Sequence, residues 1–189
     1  MKLLVKKQPN LILPSYANNL DAGADLYATT DPIIVAPKES VIGAKPLEDA
    51  PTFYRRVSYI QYGTNLYVTP EFRDGSYDFH IEIFPRSSIC NKNLMLKNST
   101  AIIDVGYQGQ IMLNYAYLFQ PEDFLWYRDD NGNHEWVARI NQDQIYHRND
   151  KIAQMQARSN DRIEFELVDE LPKTDERGTG SFGSSDKKI

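Results

Sequence analysis

At 189 residues the chain has room for one compact domain and little more. Its 41% hydrophobic and 25% charged residues are ordinary globular values, which exclude disorder along the whole length. A formal net charge of −5 argues against a general nucleic-acid binder, whose affinity rests on neutralising phosphates with a basic face.

The chain opens MKLLVKKQPN, with an apolar run of three residues, too short for a signal-peptide core. No later stretch approaches the length of a membrane span, so the expectation is a soluble intracellular protein. DAGADLYA (21–28) reads as a polar turn with two carboxylates entering a strand. Prolines at 32, 37, 46, 51, 70 and 85, with Asp74-Gly75, punctuate the segments that follow. In SYDFHIEIF, Tyr77, Phe79, Ile81 and Ile83 share one face and Asp78, His80 and Glu82 the other, as in a half-buried strand.

PRSSIC (85–90) comes next, and Pro85 ends the ladder pairing. Arg86, Ser87 and Ser88 at this strand-to-turn junction have the chemistry of a phosphate cradle: a forked cation and two short hydroxyls. The one cysteine, Cys90, excludes an internal disulfide and a four-sulfur zinc site, and His80, His134 and His147 lack metal-ligand spacing. In AIIDVGYQGQIML (101–113) the apolar run Ala101–Ile103 delivers Asp104 to a strand end, and Gly106 and Gly109 bracket Tyr107. The spacing predicts a hairpin with a tyrosine at its tip. A carboxylate placed after an apolar strand is expected to be partly desolvated, hence a candidate base.

QIMLNYAYLF puts Ile111, Leu113, Tyr115, Tyr117 and Phe119 on one apolar face; the mixed opposite face predicts cover on both sides. DDNGNHEWV predicts a hairpin turned by Asn131-Gly132 in a type I′ turn. NDKIAQMQARS fits a short amphipathic helix or a strand, and periodicity leaves both open; Gln154 within it sits in an apolar setting. DRIEFELV alternates again, with Ile163, Phe165 and Leu167 inward. The last dozen residues hold RGTGSFGSS (177–185), glycines for mobility around one arginine and one phenylalanine. The predicted architecture is a many-stranded antiparallel sandwich or barrel with a mobile C-terminal tail.

Taken singly, each polar fragment has a plainer reading as a turn, a loop or a cap. Together, DAGADLYA, PRSSIC with NKNLMLKNS, AIIDVGYQG, DKIAQMQ and RGTGSFGSS resemble, in order and with compatible spacing, the five motifs of the homotrimeric dUTPase family. The motifs run from residue 21 to 185. The resemblance implies an all-β, distorted antiparallel barrel of jelly-roll type over residues 1–175 and a flexible lid over 176–189. It also implies insertions at about 45–62 and 121–146, on which the motifs are silent.

The implied activity is Mg²⁺-assisted attack of water on the α-phosphate of dUTP, giving dUMP and pyrophosphate. By the resemblance Asp104 orients and deprotonates the water, and Tyr107 packs under the deoxyribose. The backbone from Ile103 to Met112 reads the uracil edge, and Asn98 contacts the nucleotide near its base. Arg86, Ser87, Ser88 and Gln154 hold phosphates, and Asp25 meets the metal through water. In the tail, Arg177 meets the terminal phosphate, Phe182 stacks on uracil and Ser184 donates to phosphate. Ser181, Ala101 and Asn149 stand where glycines are usual, and Lys151 where an arginine is common.

The same resemblance implies a homotrimer in the cytoplasm (of the host, if the source is viral), with neither nucleic acid nor membrane as partner. Two rival readings stay open on the sequence. One is a regulatory protein on this scaffold that binds a partner through its insertions. The other is a relative of dCTP deaminase, which shares a PRSS-type motif but not the Arg/Phe tail.

Overall fold

The computed structural model describes residues 2–42, 52–71, 79–129, 131–159, 163–170 and 172. In chain order its strands begin with β1 (Leu3–Val5), β2 (Ala24–Tyr27), β3 (Ile33–Val35), β4 (Val41–Ile42), β5 (Phe53–Tyr54), β6 (Tyr59–Gly63) and β7 (Val68–Pro70). They continue with β8 (Phe79–Pro85), β9 (Leu94–Leu96), β10 (Ala101–Ile103), β11 (Met112–Tyr117), β12 (Phe124–Arg128), β13 (His134–Ala138) and β14 (Lys151–Ser159). The helical pieces among the described residues are short 3₁₀ turns, none long and apolar enough to cross a membrane.

Two four-stranded antiparallel sheets carry the core, ordered β10-β8-β14-β2 and β3-β6-β11-β9. Their inner faces are the alternating sets that the sequence marks. Ile81 and Ile83 of β8 face Leu113, Tyr115 and Tyr117 of β11 across one cluster that also holds Ile60, Tyr62 and Ile152. At the centre Tyr62, Tyr115 and Tyr146 meet edge to face, with ring centroids 5.6 to 6.1 Å apart. Such pairs add about 0.5–1.5 kcal/mol each beyond their buried area. Two of the three hydroxyls are partnered: Tyr115 donates to the Ile152 carbonyl at 2.6 Å, and Tyr62 accepts the Tyr146 N–H at 3.1 Å. Burial pushes both of these phenols to ionise far less readily than free tyrosine.

NDKIAQMQARS resolves as a strand. β14 pairs with β8 over seven residues and with β2 on its other side, so tertiary hydrogen bonds decide against a helix. The register slips between Lys151 and Ala153 in the β2 pairing. That irregularity lets the consecutive Ile152 and Ala153 both be buried, which blurs a period-two signal.

Four expectations change. The segment 163–168 forms no strand: Ile163, Phe165 and Leu167 are 74%, 90% and 102% exposed. A strand needs a neighbour's ladder, and none among the described residues lies beside it. The even face of β11 is only partly covered by the described residues: Met112 is exposed, and Asn114 and Ala116 are half-buried. Among the described residues of the 129–133 loop Gly132 alone has a positive φ, of 87°, and Asn131 does not share it as a type I′ turn at Asn131-Gly132 requires. The Asp129 carboxylate instead accepts from the Asn131 and Asn133 backbone and ties the loop together.

The fourth change concerns the insertions. The stretch from Tyr59 onward is core strand β6, with Ile60 and Tyr62 fully buried, and Ile140, Ile145 and Tyr146 also belong to the core. Strands from both expected insertions meet, with β4, in one sheet ordered β12-β13-β5-β4, through Ala138 paired with Tyr54. Arg55 clamps the joint by donating from Nε and Nη2 to the two Glu135 oxygens, each at 2.6 Å.

Candidate active site

β10 ends at Ile103 and leaves Asp104 at the mouth of a cleft of about 240 Å³ lined by Gln61, Ile103, Tyr107, Gln110, Met112 and Asn114. Gln61 donates to Asn114 at 3.1 Å inside it. A larger apolar groove of about 340 Å³ beside β1 lacks this convergence of polar side chains, so chemistry selects the smaller cleft. Asp104 is exposed, not partly desolvated as its sequence position suggests, because it sits past the strand end on the outer side of the turn.

β10 and β11 lie in different sheets, so the expected hairpin is instead a loop crossing between them, and Gly109 in it has a visible reason. The Tyr107 N–H closes a turn onto the Asp104 carbonyl at 3.0 Å, and its hydroxyl donates to the Gln110 carbonyl at 2.9 Å. The phenol thereby lies across Gly109, where an added Cβ would fall 2.4 Å from the hydroxyl oxygen. Gln110 in turn donates to Asn65 at 2.9 Å, and Asn65 to the Pro9 carbonyl at 3.1 Å. Thr64 donates to the Ile111 carbonyl at 2.6 Å. The sequence reading missed Asn65, Thr64 and Gln110. The Asn65 φ of 49° marks a tight turn, but its setting in YGTNLY gives no hint that it braces a loop some forty residues later.

A second polar cluster forms around Asp25 of β2, whose side chain is 2% exposed. Arg86 Nε donates to its Oδ1 at 2.8 Å, Lys151 Nζ lies 2.8 Å from its Oδ2, and Gln154 Nε2 donates to Oδ1 at 3.2 Å. Burial alone would raise the Asp25 pKa. The Lys151 hydrogen bond, the Arg86 charge and the Gln154 hydrogen bond outweigh it and hold the carboxyl below the usual aspartate range. The clamp therefore contributes stability above the ordinary aspartate pKa, and that contribution is lost as pH falls through the lower folded value. Arg86 also reaches Ser88 Oγ at 3.4 Å, and the buried Tyr146 phenol lies beside Ser88. Ser87 is exposed in the same 3₁₀ turn. Asn98 is exposed just past β9. Arg177, Phe182 and Ser184 lie outside the described residues.

Within one chain the two clusters stand at opposite ends of β8. Ile103 pairs with Ile81, so Asp104 lies by His80, while Pro85 pairs with Ala153 beside Arg86. Six residues of strand at ~3.3 Å each separate them by roughly 20 Å.

No family profile matches the chain. Curated relatives do. Over 178 residues it is 30% identical to the deoxyuridine 5'-triphosphate nucleotidohydrolase of Histophilus somni, covering 93% of this chain and 88% of the relative. Over 187 residues it is 28% identical to the enzyme of that name from Leptospira interrogans, covering 98% and 99%. Among solved structures, the dUTPase of Staphylococcus bacteriophage 80alpha with dUPNHPP superposes with a TM-score of 0.62 at 20% identity, covering 97% of each chain. That likeness agrees with the antiparallel jelly-roll-like fold seen here. Joined to a relative at 30% identity across most of both chains, it leaves one assignment: the chain belongs to the deoxyuridine 5'-triphosphate nucleotidohydrolase (dUTPase) family, the dUTP diphosphatases.

Proposed function

We propose that the chain hydrolyses dUTP to dUMP and pyrophosphate by attack of water on the α-phosphate. It would thus lower dUTP and supply dUMP for thymidylate synthesis in the cytoplasm. The observation that carries this reading is the cleft with Asp104 at its mouth and the Tyr107 ring pinned across Gly109 beside it. Asp104 orients the water and takes its proton, while Tyr107 forms the floor under the deoxyribose and crowds out a 2′-hydroxyl. The backbone between Ile103 and Met112 meets the uracil edge, and Asn98 contacts the nucleotide near the base. Arg86, Ser87, Ser88 and Gln154 receive phosphates. The tail residues Arg177, Phe182 and Ser184 close over the nucleotide.

Pyrophosphate release from a panel of nucleoside triphosphates tests the reading: dUTP should be turned over far faster than UTP, dTTP or dCTP. Ammonia release from dCTP would overturn it. Gly109→Ala tests the sugar floor separately. Its methyl must push the exposed phenol aside, so Tm should barely move while the preference for dUTP over UTP falls about tenfold or more. An unchanged preference would release Tyr107 from that role.

The residues do not fit a protein-held Mg²⁺. Among the described residues no three His, Cys, Asp or Glu converge on a metal position, and Asp25 has both oxygens engaged by Arg86, Lys151 and Gln154. Mg²⁺ instead suits delivery on the triphosphate, since it keeps its waters and phosphate oxygens as ligands; its chemistry there is to offset phosphate charge.

The oligomer of this reading is a homotrimer, and the same geometry supports a site shared between chains. Asp104 and Arg86 must both lie within a few ångströms of the α-phosphate, yet one chain holds them roughly 20 Å apart. A complete site therefore draws Asp104 from one chain and the cations from another. The exposed apolar run 163–168 and the open face of β11 supply surface for that contact. Co-expressing Asp104→Asn with Arg86→Ala, each inactive alone, should restore a fraction of the parent activity in mixed trimers. Two folded variants that stay inactive when mixed, or an active monomer in light scattering, would refute it.

A second reading has one observation behind it. The joined insertion sheet exposes Trp126 and Trp136, 5.0 Å apart, with His134 stacked on Trp126. Such a patch suits a protein partner. Replacing both tryptophans with Ser should leave dUTP hydrolysis intact; lost hydrolysis would tie the patch to the enzyme itself.

A further inference from the structure

We propose that Lys151 is a second phosphate-binding cation, and that Asp25 is the internal anion holding Lys151 and Arg86 in place for the phosphates. The inference rests on the dUTP reading above. One negative charge between two positive ones leaves the cluster net positive by one. Its arrangement is directional: the carboxylate is 2% exposed, whereas the Arg86 and Lys151 side chains are 26% and 37% exposed. An anion arriving from water meets the cations, not the aspartate behind them.

Both cations keep donors in reserve. The Lys151 ammonium has three N–H groups and spends one on Asp25; the Arg86 guanidinium has five and spends Nε there, with Nη1 toward Ser88. Lys151 also lies over the Tyr27 ring, 5.9 Å from its centre, which confines its stem. Gln154 adds a neutral donor to Asp25 without changing the charge. The cluster is thus assembled before any ligand arrives, so binding need not order two long side chains. Lysine in place of the more common arginine keeps the charge while giving up the planar fork. The same engagement makes Asp25 a poor contact for a divalent cation, because two positive charges already stand on it.

The test is calorimetric binding of dUPNHPP and of deoxyuridine to the parent, Lys151→Met, Lys151→Arg and Asp25→Asn, each checked by thermal melting. Lys151→Met should weaken dUPNHPP about tenfold or more and leave deoxyuridine unchanged, and Lys151→Arg should recover most of the loss. Asp25→Asn should weaken dUPNHPP equally in Mg²⁺ and in EDTA. A loss confined to Mg²⁺ would make Asp25 a metal contact and overturn the internal-anion assignment. If Asp25→Asn does not fold, the Lys151 pair decides alone. A parent that binds dUPNHPP while Lys151→Met binds it equally well refutes this inference and spares the dUTP reading. A parent that binds neither ligand refutes both.

Discussion

Asp104→Asn should abolish dUTP hydrolysis while leaving nucleotide binding within a few-fold of the parent. Asparagine has the shape of aspartate but cannot accept a proton from water, and positioned general bases contribute about 10²–10⁴-fold. The structure removes the usual objection that such a variant merely unfolds. Asp104 is exposed beyond the end of β10, and substitutions at such places usually change stability by under about 0.5 kcal/mol. What the turn needs from residue 104 is its backbone carbonyl, which accepts the Tyr107 N–H and survives the change. Two measurements decide the matter together: pyrophosphate release under saturating dUTP, and calorimetric binding of dUPNHPP. Turnover within a few-fold of the parent would remove Asp104 from the reaction. Lost binding with an unchanged Tm would make it a substrate anchor instead of a base.

Deleting residues 176–189 should leave the Tm of the parent nearly unchanged and still lower activity by orders of magnitude. Among the described residues the buried ones run from Ala24 to Met155, and a glycine-rich terminal segment contributes little to a core. The loss of activity follows from chemistry carried in RGTGSFGSS. Arg177 offers charge-assisted hydrogen bonds to a terminal phosphate, strongest once water is excluded, and Phe182 offers a stacking face for uracil. Phe182→Ala should be a milder form of the same defect, since stacking a base on an aromatic ring is worth about 1–3 kcal/mol. Phe182→Trp should retain much activity and report closure by fluorescence when dUPNHPP binds. Trp126 and Trp136 are already exposed on the insertion sheet, so the signal must be read as a difference from the parent. A truncated protein as active as the parent would reduce the motif to a tail.

Alternation by itself carried the identity and facing of β8 and β11. Ile81 and Ile83, and the odd residues from Ile111 to Tyr117, are buried where period two puts them, because a pleated strand against a core exposes every second side chain. The glycine spacing around Tyr107 was equally local, since Gly109 answers a clash two residues away. Three matters were not local, and only the tertiary structure decided them. β14 is a strand because β8 and β2 take its hydrogen bonds on both sides, and the irregular register at Lys151 hides its phase. The two additions form one sheet because Tyr54 happens to meet Ala138, a contact between residues more than eighty apart that no motif encodes. Most consequential is the division of the site. Asp25, Arg86, Lys151 and Gln154 come from three places in the sequence and converge on one carboxylate, while Asp104 is carried to the far end of β8. Motif order can name these residues, but the antiparallel pairing of β8 with β10 and β14 sets how far apart they stand.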